Sequence, residues 1–388
     1  MQTIAYKAGY RFLEIGSALL SHKIYICYML KKLYSAMKSI YLICSFILCS
    51  VMACGHNDNQ PELTPSVVTF AKGADVSWLT EMEKSGVKFY NSSGHETECM
   101  TLLRNLGMNS IRLRVWVNPS DGWCNKNDLL AKAKRAKQLG MRIMIHFHYS
   151  DSWADPSQQM KPAAWLSYSI DQLKSALTNH TEEVLNALKL EGITPEWVQV
   201  GNEIAPGMLW DTYAAVSGAT YNVEKDGKTY AKNETNFAMF IATGAKAVKK
   251  VFPSAKVIVH LHGGNDNAMY RWIFDILKVN NVEYDVIGMS LYPSVENWNG
   301  MVVDCVSNMK DMISRYGKEV MICEVGMPWN EADTAKSFLT KLMTQSKAID
   351  KCLGIFYWEP EAYAGWKGYR LGAFSAEGRP TVALDAFK

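Results

Sequence analysis

Two glutamates each end an apolar, strand-like run of the chain. Glu203 follows such a run in WVQVGNEIAP (residues 197–206), and Glu324 ends a similar run in VMICEVGMPW (residues 320–329). Two carboxyl groups that face each other can divide the hydrolysis of a glycosidic bond, with one donating a proton to the leaving oxygen while the other attacks as an anion. A glutamate at a strand end can also be only a capping or salt-bridging group. The placement of the two runs in the fold decides between these interpretations.

The elements that must position these glutamates repeat from about residue 67 to the end of the chain. A short apolar run, a loop and a segment with helical periodicity follow one another. The eight strand candidates are VTFAKGADV, SIRLRVW, RIMIHFH, WVQVGN, KVIVHLH, DVIGMSL, EVMICEV and GIFYWEP. Amphipathic segments such as DLLAKAKRAKQLG and TEEVLNALKLEG lie between them. We therefore predict a single α/β domain over residues 67–388, a (β/α)8 TIM barrel. An open doubly wound sheet is the alternative, but its GxGxxG fingerprint is missing.

In such a barrel the functional side chains lie at the carboxyl ends of the strands. Glu203 then closes strand four and Glu324 closes strand seven, on opposite sides of the ring. Asn202 is adjacent to the first glutamate, and Arg112 on strand two is available to keep the second one ionised. The other polar and aromatic residues at or just after strand ends are Asp75, Arg114, Trp116, His146, His148, Asp151, His260, His262, Ser290, Tyr292, Trp358 and Glu359. This crowding favours a catalytic pair over two structural acids.

Four histidines form two HxH pairs, His146 with His148 and His260 with His262. Alternation along a strand directs both members of a pair to the same face, as a metal site requires. Metal-dependent amidohydrolases place such a pair at the end of the first strand, whereas here that strand ends near Asp75. We therefore predict no catalytic metal, and we expect the imidazoles to form hydrogen bonds in the cleft, with His148 nearest the substrate.

Several longer motifs resemble one family of glycosidases. They are KGADVSW at the first strand, NSIRLRVWVNPSDG at the second, HYSDSWADPSQQMKPAAW after the third and GIFYWEPE at the eighth. With VGNE on strand four, these motifs resemble glycoside hydrolase family 53, the arabinogalactan endo-β-1,4-galactanases of clan A, over residues 70–385. SDSWADP is the specific part, since the Asn-Glu pair alone marks only the clan. The resemblance implies retaining endo-hydrolysis of β-1,4-galactosidic bonds in galactan or type I arabinogalactan, with galacto-oligosaccharides as products.

The resemblance also implies a role for each site residue. Glu203 would be the acid/base, Glu324 the nucleophile, and Asn202 a hydrogen-bond partner of the sugar 2-hydroxyl. Arg112 would orient the nucleophile and keep it charged, because a guanidinium does not lose its proton. Arg114 is a supporting candidate on the same strand. Flat faces for the sugar rings are expected from Trp116, Trp153, Tyr292, Trp329 and Trp358, and further contacts from His148, Asp151 and His262.

Two other functions are compatible with parts of this pattern. Another clan A β-glycanase, such as a mannanase or a cellulase, would keep both glutamates but should lack SDSWADP. A surface glycan-binding protein without activity predicts the loss of one carboxylate, and both are present. We expect no required cofactor. Bacterial relatives often carry a long acidic loop after strand seven that binds calcium, and the short VGMPWNEAD here does not favour a structural calcium site.

The first 53 residues have the composition of a targeting leader. Met37 is the candidate start, and the apolar run in residues 40–53 is too short to span a bilayer comfortably. The run leads into VMAC, which resembles a bacterial lipobox and makes Cys54 the expected lipidated residue. Residues 54–66 are polar, as a tether would be. The prediction is export with a lipid anchor in the bacterial outer membrane or at the cell surface. A plain secretory signal, giving a periplasmic or secreted protein, is the alternative.

Charge and cysteine content narrow the partners. The leader holds six of the 41 Lys and Arg but one of the 38 Asp and Glu, so the remainder has 35 basic and 37 acidic residues. A nucleic-acid partner is not favoured, whereas a neutral polysaccharide suits this balance. Membrane contact is expected only through the anchor, and glycan capture or import proteins are candidate partners. The five cysteines after Cys54 have no CxxC spacing, which disfavours a zinc ribbon, and Cys323 is predicted to be a small buried hydrophobic residue.

Overall fold

The computed structural model describes residues 70–210, 231–363 and 365–388. The predicted leader, the polar tether and Cys54 lie outside the described residues. Among the described helices, none has the length and apolar character needed to cross a bilayer. All five described cysteines are buried and free of disulfide bonds.

Eight parallel strands close into a barrel in which every strand pairs with its chain neighbours. The strands are β1 (Ala71–Asp75), β2 (Ser110–Val115), β3 (Arg142–Phe147), β4 (Trp197–Val200), β5 (Lys256–Leu261), β6 (Val286–Leu291), β7 (Glu319–Val325) and β8 (Cys352–Trp358). Because β8 pairs with β1, the sheet has no open edge. The predicted TIM barrel is confirmed, and the open doubly wound sheet is excluded.

The helices surround this barrel. Two short helices, α1 (Leu79–Lys84) and α2 (Cys99–Asn105), follow β1. The longer helices are α3 (Lys126–Gln138), α4 (Ile170–Leu190), α5 (Ala231–Val251), α6 (Asn267–Val279), α7 (Trp298–Tyr316) and α8 (Ala332–Lys347). Short 3-10 turns lie at Ala163–Trp165, Trp329–Glu331, Trp366–Gly368 and Val382–Phe387. Helix α4 begins well before the predicted segment because Ser169 and Gln172 form a capping box at its start.

The strands are buried on both faces, as expected for parallel strands covered by helices. Every residue of β2 and of β6 is buried. The barrel interior is filled by Ala71, Met144, Trp197, Ile258, Val286, Met321, Cys323, Leu353 and Phe356. A Cβ at Gly73 would lie 2.2 Å from the Phe356 ring, so β1 needs glycine there. The interior position of Cys323 confirms its prediction as a small buried hydrophobic residue.

Candidate active site

The chain turns sharply where β4 ends, and this turn positions two of the candidate residues. The strand stops at Val200, two residues earlier than the predicted run. Gly201 (φ 77°) and Glu203 (φ 50°) both have left-handed backbone conformations. Such a conformation is costly for a residue with a side chain and is found mainly where function requires it. The turn places Asn202 and Glu203 in the wall of a cavity at the carboxyl ends of the strands.

That cavity has a volume of about 540 Å³, which is in the range of ligand sites. Both candidate glutamates line it, so the structure brings Glu203 and Glu324 together from β4 and β7. The described residues that line it are Trp78, His148, Trp153, Ala154, Asp155, Gln158, Asn202, Glu203, Tyr292, Glu324, Trp358, Lys367, Gly368, Tyr369 and Leu371.

Arg112 lies fully buried beneath the cavity and connects the two sides of the site. Its Nη1 is 2.8 Å from Oε1 of Glu324 and 2.8 Å from Oδ2 of Asp75. Its Nη2 donates to Oδ1 of Asn202 at 3.0 Å and to Oε1 of Gln199 at 2.9 Å. One planar cation therefore orients both a candidate catalytic carboxylate and the neighbouring amide, a geometry that lysine would not provide.

The Glu324 carboxylate has two strong donors. Besides Arg112, the Tyr292 hydroxyl donates to its Oε2 at 2.9 Å. Burial raises the pKa of Glu324, while the positive charge of Arg112 and these two hydrogen bonds oppose that effect. Because its anion is paired and hydrogen-bonded, Glu324 is the member of the glutamate pair that ionises first.

The Glu203 carboxyl has the opposite character. Burial, followed by the negative charge of Glu324, raises the pKa of Glu203 to about 8, and a hydrogen bond from Ser290 opposes this only in part. Burial is thus the larger cause of the raised pKa, and the like-charge repulsion between the glutamates adds to it. At neutral pH Glu203 therefore keeps its proton while Glu324 is ionised. Acid-assisted displacement requires one protonated and one ionised carboxyl group of this kind.

The tautomer of His148 follows from its contacts. Its Nδ1 accepts hydrogen bonds from the Trp116 indole N–H at 3.3 Å and from the Ala154 backbone N–H at 3.0 Å. The proton of the neutral ring must then be on Nε2, for which the described residues supply no acceptor. His148 lines the cavity, but its Nε2 itself has no solvent-accessible surface.

His146 and His260, the inner members of the HxH pairs, each lie beside a polar side chain. His146 Nε2 lies 2.8 Å from Oδ2 of Asp75, and His260 Nε2 lies 2.9 Å from Oγ of Ser290. Burial lowers the pKa of His146 to about 3, so the ring is neutral. No group of three His, Cys, Asp or Glu within the described ranges is arranged to hold a metal ion. His262 is half-buried and does not line the cavity.

Aromatic side chains form one side of the cavity. Of the predicted sugar-binding rings, Trp153, Trp358 and Tyr292 line it. Trp78 and Tyr369, which are not among the predicted sugar-binding rings, line it as well. The Trp78 ring lies edge-on to Trp358 at 5.1 Å and to Trp153 at 5.6 Å between centroids. These contacts hold the rings rigidly, so little freedom is lost when a sugar packs against them.

Four further candidates lie outside the cavity wall. Trp116 is buried, and its ring lies edge-on to Trp153 at 5.3 Å between centroids. Arg114 lies under the same aromatic ring, 4.2 Å from its centroid. Trp329 starts a 3-10 turn and donates its backbone N–H to the carbonyl of Arg370. None of these three residues lines this cavity.

Asp151 is the fourth of these residues. Its two carboxylate oxygens accept backbone N–H groups of Asn118 at 3.0 Å and Ala163 at 2.9 Å. The side chain thus ties together the loops after β2 and β3, one of which carries Trp153. Its role in this structure is to shape a loop rather than to line the cavity.

Some wall residues have no individual role in the sequence analysis. Lys367 and Leu371 come from the loop after β8, outside every quoted motif. Asp155 and Gln158 lie within HYSDSWADPSQQMKPAAW, and Trp78 stands just beyond the end of β1 in KGADVSW, so for these three the motifs supplied a signal. An aromatic residue at that place in a barrel is a candidate for the ligand face.

Comparison with known proteins identifies one family. The sequence profile described as Glycosyl hydrolase family 53 matches residues 71–387. An arabinogalactan endo-beta-1,4-galactanase of Thermothelomyces thermophilus is 32% identical over 344 residues, covering 82% of this chain and 98% of the relative. An endo-beta-1,4-galactanase of Bacillus subtilis is 31% identical, with coverage of 75% and 70%.

The solved structures agree with this result. A fungal beta-1,4-galactanase superimposes with a TM-score of 0.73 at 29% identity, covering 82% of this chain and 99% of the other. A family 53 catalytic domain of Ignisphaera aggregans gives a TM-score of 0.71 at 30% identity, with coverage of 84% and 97%. A psychrophilic family 10 xylanase, at 15% identity and a TM-score of 0.57, shares the fold alone.

Proposed function

The chain belongs to glycosyl hydrolase family 53, and on that premise we propose that Glu203 and Glu324 perform its chemistry as acid/base and nucleophile. The protein is an endo-β-1,4-galactanase, a retaining glycoside hydrolase whose substrate is a polysaccharide. The observation that carries the residue assignment is the unequal environment of the two acids. Glu324 is held by Arg112 and Tyr292, whereas burial and the charge of Glu324 raise the pKa of Glu203.

In the first step the ionised Glu324 attacks the anomeric carbon while Glu203 gives its proton to the departing glycosidic oxygen. A galactosyl ester forms on Glu324, and the shortened chain leaves with a new hydroxyl group. In the second step Glu324 no longer carries a negative charge, so the pKa of Glu203 falls. Glu203 can then take a proton from water, which attacks the same carbon and restores the β configuration.

Asn202 is suited to hold the sugar during both steps. Its Oδ1 accepts from Arg112 at 3.0 Å and from Gln199 Nε2 at 2.9 Å, so the amide orientation is determined. One of the two hydrogens on Asn202 Nδ2 is donated to the carbonyl oxygen of Ala154, with 2.8 Å between nitrogen and oxygen. The second Nδ2 hydrogen is left for the 2-hydroxyl of the sugar, where a hydrogen bond strengthens as positive charge develops at the anomeric carbon.

No cofactor is needed for this reaction, because the acid, the base and the nucleophile are all side chains. We also propose that the protein has no structural calcium site in the loop after β7. The segment between Val325 and Ala332, which separates β7 from α8, is too short to supply the acidic loop that a structural calcium site would need.

The pH dependence of the reaction tests the division of labour between the glutamates. We expect kcat/KM on β-1,4-galactan to fall as the pH rises through about 8, because the acid form of Glu203 is then lost. The limiting decrease is about tenfold per pH unit, as for a single essential acid. On the acid side, activity should fall where Glu324 becomes protonated. The residual kcat/KM of a Glu203→Gln variant on the same galactan should lack the alkaline decrease. If the decrease persists in that variant, the pKa belongs to another group.

The substrate range separates this enzyme from other clan A glycanases. The purified protein should release short galacto-oligosaccharides from linear β-1,4-galactan and leave carboxymethylcellulose and galactomannan intact. The expected difference in rate is at least about a hundredfold, since misplaced hydroxyls leave buried polar groups of the site unpaired. Reducing-end assays measure the rates on the three polysaccharides, and oligosaccharide chromatography identifies the products. Binding of galactan without product would support the non-catalytic alternative instead.

We further propose that the protein is exported and anchored through a lipid on Cys54. The support is the apolar run before VMAC and the polar segment of residues 54–66 that follows. Replacing Cys54 by serine should abolish incorporation of labelled fatty acid and move the protein from the membrane to the soluble fraction, because a serine hydroxyl cannot take the thioether-linked lipid. An unlabelled wild-type protein would favour the plain secretory signal.

A further inference from the structure

Two buried glutamates that the catalytic mechanism does not use follow directly after β8. Glu359 and Glu361 are both completely inaccessible to solvent. Glu359 has a left-handed backbone (φ 46°), and its N–H donates to the carbonyl of Asp75 at 3.0 Å. The N–H of Ala362 returns to the carbonyl of Glu359 at 3.2 Å and closes a turn around the pair. The main chain therefore determines where both side chains lie.

The surroundings of the two carboxyl groups are different. Glu359 accepts from Arg114 Nη1 at 3.2 Å through Oε1 and from the Trp78 N–H at 3.0 Å through Oε2. The Glu361 side chain interacts with that of Glu359, which stands two residues before it in the same turn. Apart from its own backbone N–H, the described residues offer no donor to either Glu361 oxygen. Two ionised carboxylates cannot remain in contact in such a place, so the pair must share a proton.

The distribution of donors decides which residue holds the proton. Glu359 has a cation and an N–H group on its oxygens and is therefore the acceptor. We propose that Glu361 is protonated at neutral pH and donates a hydrogen bond to Glu359, acting as a positioning residue for the aromatic wall of the active site. This inference rests on the proposed function only where it concerns substrate binding.

Two sets of contacts connect Glu361, through Glu359, to the aromatic wall of the cavity. Through Arg114, Glu359 reaches the Trp153 ring, which lies 4.2 Å from the guanidinium carbon. Glu359 also accepts the backbone N–H of Trp78, and the ring of Trp78 is in edge contact with Trp358. Trp78, Trp153 and Trp358 all line the cavity. A second negative charge at Glu361 would repel Glu359 and weaken both anchors.

The titratable groups that act on Glu361 come from several elements. Glu359 lies before it in the same turn, Asp75 ends β1, Cys99 starts α2 and Tyr369 follows the 3-10 turn after β8. Arg114 is the cation of the group and acts through Glu359. Burial, then the charge of Glu359, raises the pKa of Glu361 well above its usual value. Burial also raises the pKa of Glu359, but the positive charge of Arg114 and the hydrogen bonds from Glu361 and the Trp78 N–H oppose that effect.

The protonation of Glu361 can be tested without any substrate, from the pH dependence of the unfolding equilibrium. An unfolded chain releases the Glu361 proton above its ordinary pKa, whereas the folded chain keeps it, so this group makes folding less favourable as the pH rises. Between about pH 5.5 and 7.5 the unfolding equilibrium constant of the wild type should increase about tenfold more per pH unit than that of Glu361→Gln. Reversible urea titrations at several pH values measure both constants. Parallel pH dependences would overturn the proposal, because Glu361 would then be ionised in the folded protein.

The link to the active site needs a second comparison. Glu361→Leu keeps most of the volume but removes the donor, whereas Glu361→Gln retains a neutral donor. We expect KM for galactan to rise about fivefold in the leucine variant with a smaller change in kcat, and to be largely restored by glutamine. Equal KM values in the leucine and glutamine variants would contradict a positioning role. If neither the wild type nor the variants hydrolyse galactan, the proposed function fails, while the urea titrations still decide the protonation of Glu361.

Discussion

Replacing Glu324 by alanine is expected to lower kcat on β-1,4-galactan by about 10⁴-fold or more, a typical cost for removing a covalent nucleophile. Without this carboxylate no galactosyl ester can form, and Arg112 and Tyr292 lose the anion that they hold at 2.8 and 2.9 Å. The measurement is kcat on linear galactan with the fold checked by circular dichroism. Glu319→Gln is the matched control, since Glu319 starts the same strand β7, pairs with Lys256 and does not line the cavity.

The same variant can reveal the role of Glu324 through the stereochemistry of rescue. Azide fits the space left by the carboxylate and can attack an activated dinitrophenyl galactobioside from the face that Glu324 occupied. The expected product is the α-galactosyl azide, because this displacement inverts a β-linked substrate. Recovery of the β-azide, or an active alanine variant, would show that Glu324 is not the nucleophile.

Replacing Glu203 by alanine should have a different signature. Hydrolysis of galactan is expected to fall by about 10² to 10⁴-fold, the usual contribution of a general acid. A dinitrophenyl galactobioside needs little proton assistance, so its first step should stay fast while the galactosyl ester accumulates. A burst of dinitrophenol followed by a slow steady state would report this imbalance.

Azide again separates the roles. In Glu203→Ala it should attack the ester from the side of the missing base and give the β-galactosyl azide. Glu196→Gln provides the control, because Glu196 precedes β4 and pairs with Arg142 at the opposite end of that strand. An α-azide product, or a loss of the burst together with galactan hydrolysis, would reverse the assignment of acid and nucleophile.

The two arginines of β2 show how far a sequence pattern reaches. Arg112 and Arg114 are two residues apart and therefore share one face of the strand. That relation predicts that both point the same way but cannot separate their roles. The register pairs Asp75 with Arg112, which puts this arginine at the level of Glu324, while Arg114 lies one step further along and meets Glu359. The difference arises from partners on β1, β7 and the turn after β8.

The aromatic wall illustrates the same limit. Trp358 could be recognised because it ends a strand, where a barrel places its ligand-binding residues. Trp116 also stands at a strand end, and yet it packs edge-on against Trp153 and does not line the cavity. Tyr369, 4.8 Å from Trp358 between ring centroids, comes from a loop without any periodic signal. Loops have no repeat that predicts their direction, so their contribution to a cavity depends on what they pack against.

The sequence by itself determined the barrel, the family and the two catalytic candidates. Eight apolar runs alternating with helical segments admit few topologies, and a strand end in a parallel barrel has a known location. Only the tertiary structure decided how each carboxyl group behaves. The burial of these acids, the ion pair of Glu324 with Arg112 and the ion pair of Glu359 with Arg114 all involve residues distant in the chain. The pKa of an acid depends on desolvation and on nearby charges, and neither exists until the strands have closed into the barrel.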